Sequence, residues 1–388
     1  MKTIVKGLAA AAALGIGLAG VAAAETKVGV LLPKSGVYAS LGNEIEDGFR
    51  LALEDAGMAD QFTLVGEDTE VKPPVGLAKA RKLVLEDRVD VIMGIVSSGV
   101  LAAIRDFIHQ AEVPLIVANA GNDEATGANC SPYIVRVSFS NGQVNRPMGQ
   151  WMAEQGFKKV YTLAPDYAAG RQMIEAFKST FTAGGGEIVG EEYTPFQQTK
   201  DFGPYLTNAR ASGADAIFVF YAGGEAISFV KQYGSFGLKD TLPLFGSGFL
   251  NSALYVNAQG EAAIGTKASL HYVPTLETPE NQAFVKRFSE KYGRTPSEYA
   301  VQGYDAGQLL ARAVQGGAKG PKEIAAALPK ISYTGPRGPL EIDPATNNVV
   351  QNFYIYDTVQ GENGLTQKVI ATIPAVRDPV NGCTLQGS

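Results

Sequence analysis

The sequence predicts an α/β protein made of two doubly wound lobes with parallel-sheet cores. Short apolar strands alternate with amphipathic helical stretches from residue 26 onward, the pattern of βαβ units and a parallel sheet. The same plan then restarts near Gly142. Length agrees: the chain has 388 residues, and 364 remain if the first 24 are a removable leader, enough for two domains of roughly 100–200 residues each.

Residues 1–24 read as an export signal. Lys2 and Lys6 give a positive start, residues 8–21 an apolar stretch, and Ala22-Ala23-Ala24 a cleavage site before Glu25. The stretch is rich in Ala and Gly, weakly apolar for a membrane span of ~20 residues. Cleavage after Ala24 and a periplasmic location are therefore expected.

Residues 26–33 form an apolar strand. The stretch 42–56 places Ile45, Phe49, Ala52 and Leu53 on one helical face with Glu44, Glu46 and Asp47 outside. Residues 62–65 read as a strand, and Pro74 opens a helix carrying Leu77, Ala80 and Val84 on one side. Residues 89–96 are a strongly apolar strand, after which Ser97 or Ser98 caps a helix; residues 114–118 are the next strand. After the restart, helices are expected at 142–155, 171–183 and 225–233. Strands are expected at 159–164, 187–194, 215–221 and 242–246. Beyond residue 270 come helices at 279–292, 299–315 and 321–328, a Gly/Pro-rich turn at 333–339, and strands at 349–356 and 367–373.

Several function classes lack their chemistry. The 33 basic and 39 acidic residues give a net charge of −6. Without Lys2 and Lys6 the balance is −8, unfavourable for nucleic acid or anionic membrane surfaces. There is no G-x-x-x-x-G-K-[ST] loop, and the first strand leads to Ser35-Gly36 rather than to a G-x-G-x-x-G turn. No G-x-S-x-G or H-E-x-x-H sequence occurs. The two histidines and two cysteines have no metal-ligand spacing. His109 reads as a core-edge or surface residue, and His271 as a residue that could reach a cleft. No metal, cofactor or enzymatic activity is expected, and the protein is expected to be a monomer. Cys130 and Cys383 survive signal removal, and an oxidising compartment permits their pairing, which would tie the C-terminal tail to the body.

Ligands of open α/β sheets bind beyond the carboxyl ends of the strands. Ser97 and Ser98 lie at such an end and at a helix N-terminus, where hydroxyls, free N–H groups and the helix dipole suit a carboxylate. Asn119, Ala120 and Gly121 end the next strand. In the second half Tyr167, Phe220 with Tyr221, and Ser247 with Phe249 follow three strand ends and suggest an aromatic wall.

Five phrases in order carry a family resemblance: Val28-Gly-Val-Leu-Leu-Pro-Lys-Ser-Gly36 followed by Gly42, Gly94-Ile-Val-Ser-Ser98, Pro114-Leu-Ile-Val-Ala-Asn-Ala-Gly-Asn122, Pro165-Asp-Tyr-Ala-Ala-Gly170, and Ala300-Val-Gln-Gly-Tyr-Asp305. Over residues 26–378 the chain resembles periplasmic binding proteins of the branched-chain amino acid (Leu/Ile/Val) type, the substrate-binding components of ABC importers. The resemblance implies the type I fold, with three crossover strands joining the lobes, ligand held between them, and an inner-membrane permease as partner. Lobe one would be 26–140 with 274–343, and lobe two 141–273 with 344–388. Ser97, Ser98 and Tyr167 match the family's ligand positions. The acid that holds an amino acid's ammonium aligns with Ser247, a head-group Thr with Gly121, and an aromatic with Leu41, near Tyr38. An unpaired ammonium in a closed cleft is costly. The ligand is therefore expected to be a small carboxylate without an α-amine, favouring an aromatic or phenylpropanoid acid. The alternatives are an amino-acid or amide binder of the same family, a periplasmic sensor subunit and, less favoured, an exported hydrolase. Arg171 is either a carboxylate partner or an exposed first-turn arginine.

Overall fold

A computed structural model describes residues 25–385; the export-signal reading concerns residues outside the described ones. The first half builds β1 (Thr26–Leu32), α1 (Ala39–Asp55), β2 (Phe62–Asp68), α2 (Pro73–Arg81), β3 (Val91–Gly94), α3 (Ser98–Ala111), β4 (Leu115–Val117) and β5 (Ile134–Arg136). These strands form one parallel sheet of order β2-β1-β3-β4-β5. Its central strands are apolar on both faces because helices cover both sides, as parallel sheets require.

The restart builds α4 (Asn141–Glu154), β6 (Lys159–Pro165), α5 (Ala168–Ala183), β7 (Glu187–Thr194), α6 (Gly203–Ala211), β8 (Ala216–Val219), α7 (Gly223–Ser235), β9 (Leu244–Ser247), α8 (Val256–Gln259) and β10 (Lys267–Leu270). Then come α9 (Pro279–Tyr292), α10 (Glu298–Gln315), α11 (Gly320–Ala327), the hairpin β11 (Ser332–Gly335) and β12 (Gly338–Ile342), and the long hairpin β13 (Val349–Gly361) and β14 (Gly364–Val376). The second sheet runs β7-β6-β8-β9-β10 in parallel and continues through antiparallel β13. The β11–β12 hairpin joins it only through the pairs Glu341–Val350 and Ile342–Val349.

The chain passes between the lobes after β5, after β10 and after β12. Helix α9 returns to the first lobe, where Arg287 pairs with Asp55 at 2.5 Å and Tyr292 Oη donates to the Asp47 carbonyl at 2.9 Å. Helix α10 lies against α1 so closely that a Cβ at Gly303 would stand 1.9 Å from the Ile45 carbonyl oxygen, and one at Gly48 1.9 Å from that of Ala300. Only glycine permits this approach.

Three connections meet in a buried polar hinge. The Arg337 Nε lies 2.6 Å from Asp305 Oδ2 with both side chains fully buried, and its Nη1 donates to the Ser138 carbonyl at 3.1 Å. The Gln351 amide donates to the same carbonyl at 2.6 Å. Arg136 Nε donates to Asn348 Oδ1 at 2.8 Å. Cys130 and Cys383 form the anticipated disulfide, with Cα atoms 5.5 Å apart.

Some elements differ from the sequence reading. The three-residue β5 and the helix α6 were not expected; the first is too short for a period, and the second carries one strongly apolar buried residue, Leu206. The expected Gly/Pro-rich turn at 333–339 is mostly strand, and only its middle turns. The helix expected from Arg171 begins at Ala168, with Tyr167 as its N-cap.

Candidate functional site

Between the lobes lies a small cavity lined by residues of both lobes. Of the residues singled out in the sequence, eight line it: Tyr38, Leu41, Ser98, Asn119, Gly121, Tyr167, Phe220 and Phe249. Four do not. Ala120 is buried in the core of the first lobe. Tyr221 packs on Phe202 and Phe229 and meets Thr194 Oγ1 at 3.3 Å. Ser97 holds the N-cap position of α3 but its side chain makes no cap hydrogen bond. Ser247 is fully buried at the end of β9 with its Oγ unpartnered. Arg171 is exposed, pairs with Asp166 at 2.7 Å and lies over the Tyr193 ring, so it is the first-turn arginine and not a cavity residue. His109 is exposed and meets Ser131 Oγ at 3.0 Å.

The first lobe supplies the polar part of the lining. Ser98 opens α3, and Leu101 is the first residue of the helix whose N–H reaches an intrahelical carbonyl, that of Ser97 at 3.0 Å. The preceding amides therefore have no helical acceptor. Asn141 Nδ2 donates to Ser98 Oγ at 3.2 Å and to Gln172 Oε1 at 2.7 Å. With its lone pair engaged, the Ser98 hydroxyl retains its proton for a ligand acceptor. A Cβ at Gly121 would stand 2.3 Å from Asn141 Oδ1 and 2.7 Å from the Phe139 ring. These two side chains occupy the space that a threonine would need.

The second lobe supplies the apolar wall and two more helix starts. Tyr167, Ala169 and Met173 come from the start of α5, and Phe220 and Ala222 from the β8–α7 turn. In α5 the first intrahelical N–H is that of Arg171, and in α7 that of Ala226. The N-termini of α3 and α5 thus present free amides and positive dipole ends at the cavity, whereas at α7 the Gly223 N–H donates to Tyr255 Oη at 3.0 Å. Phe139 lies 4.8 Å from Phe249 between ring centroids, and Phe220 lies 6.3 Å from Phe249 edge-on. Tyr167 stacks on Phe196 at 3.9 Å.

The lobes are closed over this space. The hydroxyls of Tyr38 and Tyr167, one from each lobe, are 3.2 Å apart. Burial, with each phenol's neighbours, holds both tyrosines above their ordinary pKa, so both remain neutral donors. On the far side Ser252 Oγ donates to Glu298 Oε2 at 2.8 Å. Tyr299 lines the cavity with its hydroxyl buried and unpartnered.

Every lining side chain is uncharged. An incoming carboxylate would meet hydroxyls, an amide and helix amides; an ammonium would find no carboxylate. Two buried acids lie behind the lining. Glu225 is pushed up to about 7 and Glu298 to about 8, in both cases chiefly by burial. The sequence reading missed Phe139, Asn141, Met173 and Tyr299. Phe139 and Asn141 belong to the first crossing, and Tyr299 and Met173 sit inside helical patterns that read as core. His271 is fully buried and stands two residues back from the lining Asn119: the Asn119 and Gln302 amides are 2.7 Å apart, and Gln302 Nε2 is 3.1 Å from His271 Nε2.

Known proteins resemble this arrangement along most of their length. The periplasmic binding protein family model matches residues 25–363. A Leu/Ile/Val-binding protein homolog 6 of Brucella melitensis is 31% identical over 370 residues, covering 91% of this chain and 93% of that protein. The solute-binding protein of an ABC transporter from R. palustris, solved in complex with benzoate, is 39% identical with a TM-score of 0.86, covering 92% of this chain and 99% of that one. One from Rhodopseudomonas palustris BisB5, in complex with 3,4-dihydroxybenzoic acid, is 34% identical with a TM-score of 0.86 over 92% and 99%. With two closed lobes, parallel-sheet cores and a cavity between them, the chain belongs to the periplasmic binding protein family.

Proposed function

We propose that this protein is the substrate-binding component of an ABC importer and captures a small aromatic carboxylate between its lobes. The observation that carries the reading is a cavity with aromatic walls, the N-termini of α3 and α5 and no charged side chain. The rings of Phe139, Phe220 and Phe249 give an aromatic ligand an apolar surface to pack against. Its carboxylate fits the Ser98 and Asn119 side, where dipoles and hydroxyls offset the lost hydration without a counter-ion. A branched-chain amino acid would leave its ammonium without a partner there. The relatives crystallised with benzoate and 3,4-dihydroxybenzoic acid support the same ligand class.

In this reading lobe one is residues 26–140 with 274–343, and lobe two is 141–273 with 344–388. The ligand contacts are Tyr38, Leu41, Ser98, Asn119, Gly121, Tyr167 and Phe249, while Ser97, Ala120, Tyr221 and Ser247 shape the surroundings. Ligand binding draws on both lobes at once and so shifts the population toward the closed form, which the Tyr38–Tyr167 contact helps to hold. The closed form delivers its ligand to an inner-membrane permease, after export and cleavage following Ala24.

A thermal-shift panel tests the reading. Benzoate, 4-hydroxybenzoate and cinnamate in excess should stabilise the protein, by about 2.7 kcal/mol at a concentration 100 times Kd, and leucine should not. Stabilisation by leucine with none by the aromatic acids would replace the proposal with the amino-acid reading.

A further inference from the structure

From the cavity wall inward runs a chain of three side chains, of which only Asn119 can reach the ligand. Asn119 lines the cavity; its amide meets that of Gln302 on α10, and the other end of the Gln302 amide meets His271, just after β10. Gln302 and His271 are fully buried. The chain therefore links a cavity residue of one lobe to the strand that crosses between lobes.

The two ends of an amide have nearly the same shape, so the chain is self-consistent in two directions. In the first, Asn119 Nδ2 donates to Gln302, Gln302 donates to His271 Nε2, and the imidazole proton sits on Nδ1. In the second, His271 Nε2–H donates to the Gln302 carbonyl, Gln302 Nε2 donates to the Asn119 carbonyl, and Asn119 Nδ2 turns to the cavity. His271 Nδ1 decides between them, because it is buried and has no partner. The first direction places an unpaired N–H there, whereas the second leaves only an unpaired lone pair. Buried orphan N–H groups are much the rarer of the two. The ring's surroundings agree, because burial and the Arg337 charge hold His271 neutral and oppose a second ring proton.

We infer that His271 is a positioning residue: through Gln302 it orients the Asn119 amide so that an N–H, and not the carbonyl, faces the ligand. This rests on the aromatic-carboxylate reading only for its consequence, a preference for carboxylate over the isosteric carboxamide. The tautomer itself is independent of what binds.

The test has two parts. Long-range proton–nitrogen spectra of histidine-labelled protein, with His109→Gln used to assign the only other histidine, report the His271 tautomer directly. The expected result is a neutral ring protonated on Nε2 from about pH 5 to about pH 8, with and without benzoate. A ring protonated on Nδ1, or one that titrates in this range, overturns the inference even if benzoate binds. Conversely, an Nε2–H ring in a protein that ignores benzoate sinks the ligand reading and leaves the tautomer standing. The second part compares benzoate with benzamide by calorimetry. His271→Gln keeps a donor toward Gln302 and should stay within about threefold of the native benzoate affinity. His271→Phe removes it and should cost roughly tenfold for benzoate, a hydrogen bond to a charged group, with less lost for benzamide. Equal losses for both ligands in His271→Phe would show packing alone and refute the positioning role.

Discussion

In the hinge, Arg337 and Asp305 are both fully buried and lie 2.6 Å apart; in the cavity, every lining side chain is uncharged. Both regions lie between the lobes and are rich in polar groups, yet they handle charge in opposite ways. The hinge holds a fixed pair whose partners are all protein: the Ser138 and Val137 carbonyls, Gln351 and Asp305. The cavity holds donors and dipoles aimed at a space. A full charge in a low-dielectric site demands its partner at all times, so it suits contacts that never dissolve. Dipoles tolerate an empty site and still attract a charge when it arrives.

The largest expected effect breaks the hinge side of this contrast. Arg337→Met leaves Asp305 without its counter-ion and should lower the unfolding free energy by about 3–5 kcal/mol. Burial already raises the Asp305 pKa against the pull of Arg337, so the lone acid would respond by taking up a proton. Adding Asp305→Leu to Arg337→Met should recover most of the loss. Urea titrations of the two variants decide the matter, and a single-variant loss under ~1 kcal/mol would mean that the pair is dispensable.

On the cavity side the effect should fall on binding. Ser98→Ala removes a hydroxyl that faces the ligand, while Asn141 keeps its bond to Gln172. Benzoate affinity should drop about 10–100-fold, the worth of a hydrogen bond to a charged group at roughly 1.5–3 kcal/mol. Ligand-free stability should change by less than ~1 kcal/mol. A variant that loses stability but binds normally would move Ser98 from the site to the scaffold.

The sequence carried much of this contrast, but unevenly. The alternation of strands and helices exposed both sheets, and strand ends exposed Ser98, Asn119, Tyr167 and Phe249, because a site at carboxyl ends follows from parallel topology. Ser97, Ala120, Tyr221 and Ser247 sit at the same strand ends but face the wrong way, and a side chain's direction at a strand end depends on backbone angles beyond the strand's period. Phe139, Asn141 and Tyr299 were hidden for another reason. They reach the cavity from the crossing after the unexpected strand β5 and from the start of α10, where no strand-end pattern was visible. The hinge pair was invisible too: Asp305 lies in a helix and Arg337 in what read as a turn, and nothing in either segment points to the other.

A pH-dependent effect concerns the two acids just outside the lining, and it asks whether the neutrality of the cavity extends to its surroundings. Glu298 has a folded-state pKa of about 8 and Glu225 about 7, against 4.5 ordinarily, and burial is the main cause for both. Between the two values the folded protein holds a proton that the unfolded chain has released. Stability from these groups is therefore full below about pH 4.5 and is lost as pH rises toward 7 for Glu225 and 8 for Glu298. Each should contribute a fall of roughly 1.4 kcal/mol per pH unit inside its window. The paired surface carboxylates Glu46, Glu67 and Asp68 are held below their ordinary values, so they weaken the fold only as pH falls and do not overlap this range. Urea titrations at about pH 5.5, 6.5 and 7.5 should give a declining unfolding free energy, and Glu298→Gln should flatten the decline most at the upper end. Glu298 meets Ser252 of the opposite lobe, and burial in the closed form is what opposes its charge, against the pull of the Ser252 hydrogen bond; ionisation should therefore favour an opening that rehydrates the acid, and benzoate should bind more weakly at about pH 8.5 than at about pH 6.5. Stability that stays flat or rises across this range would mean that Glu298 is already charged in the closed protein, and the cavity's surroundings would then resemble the hinge more than the cavity.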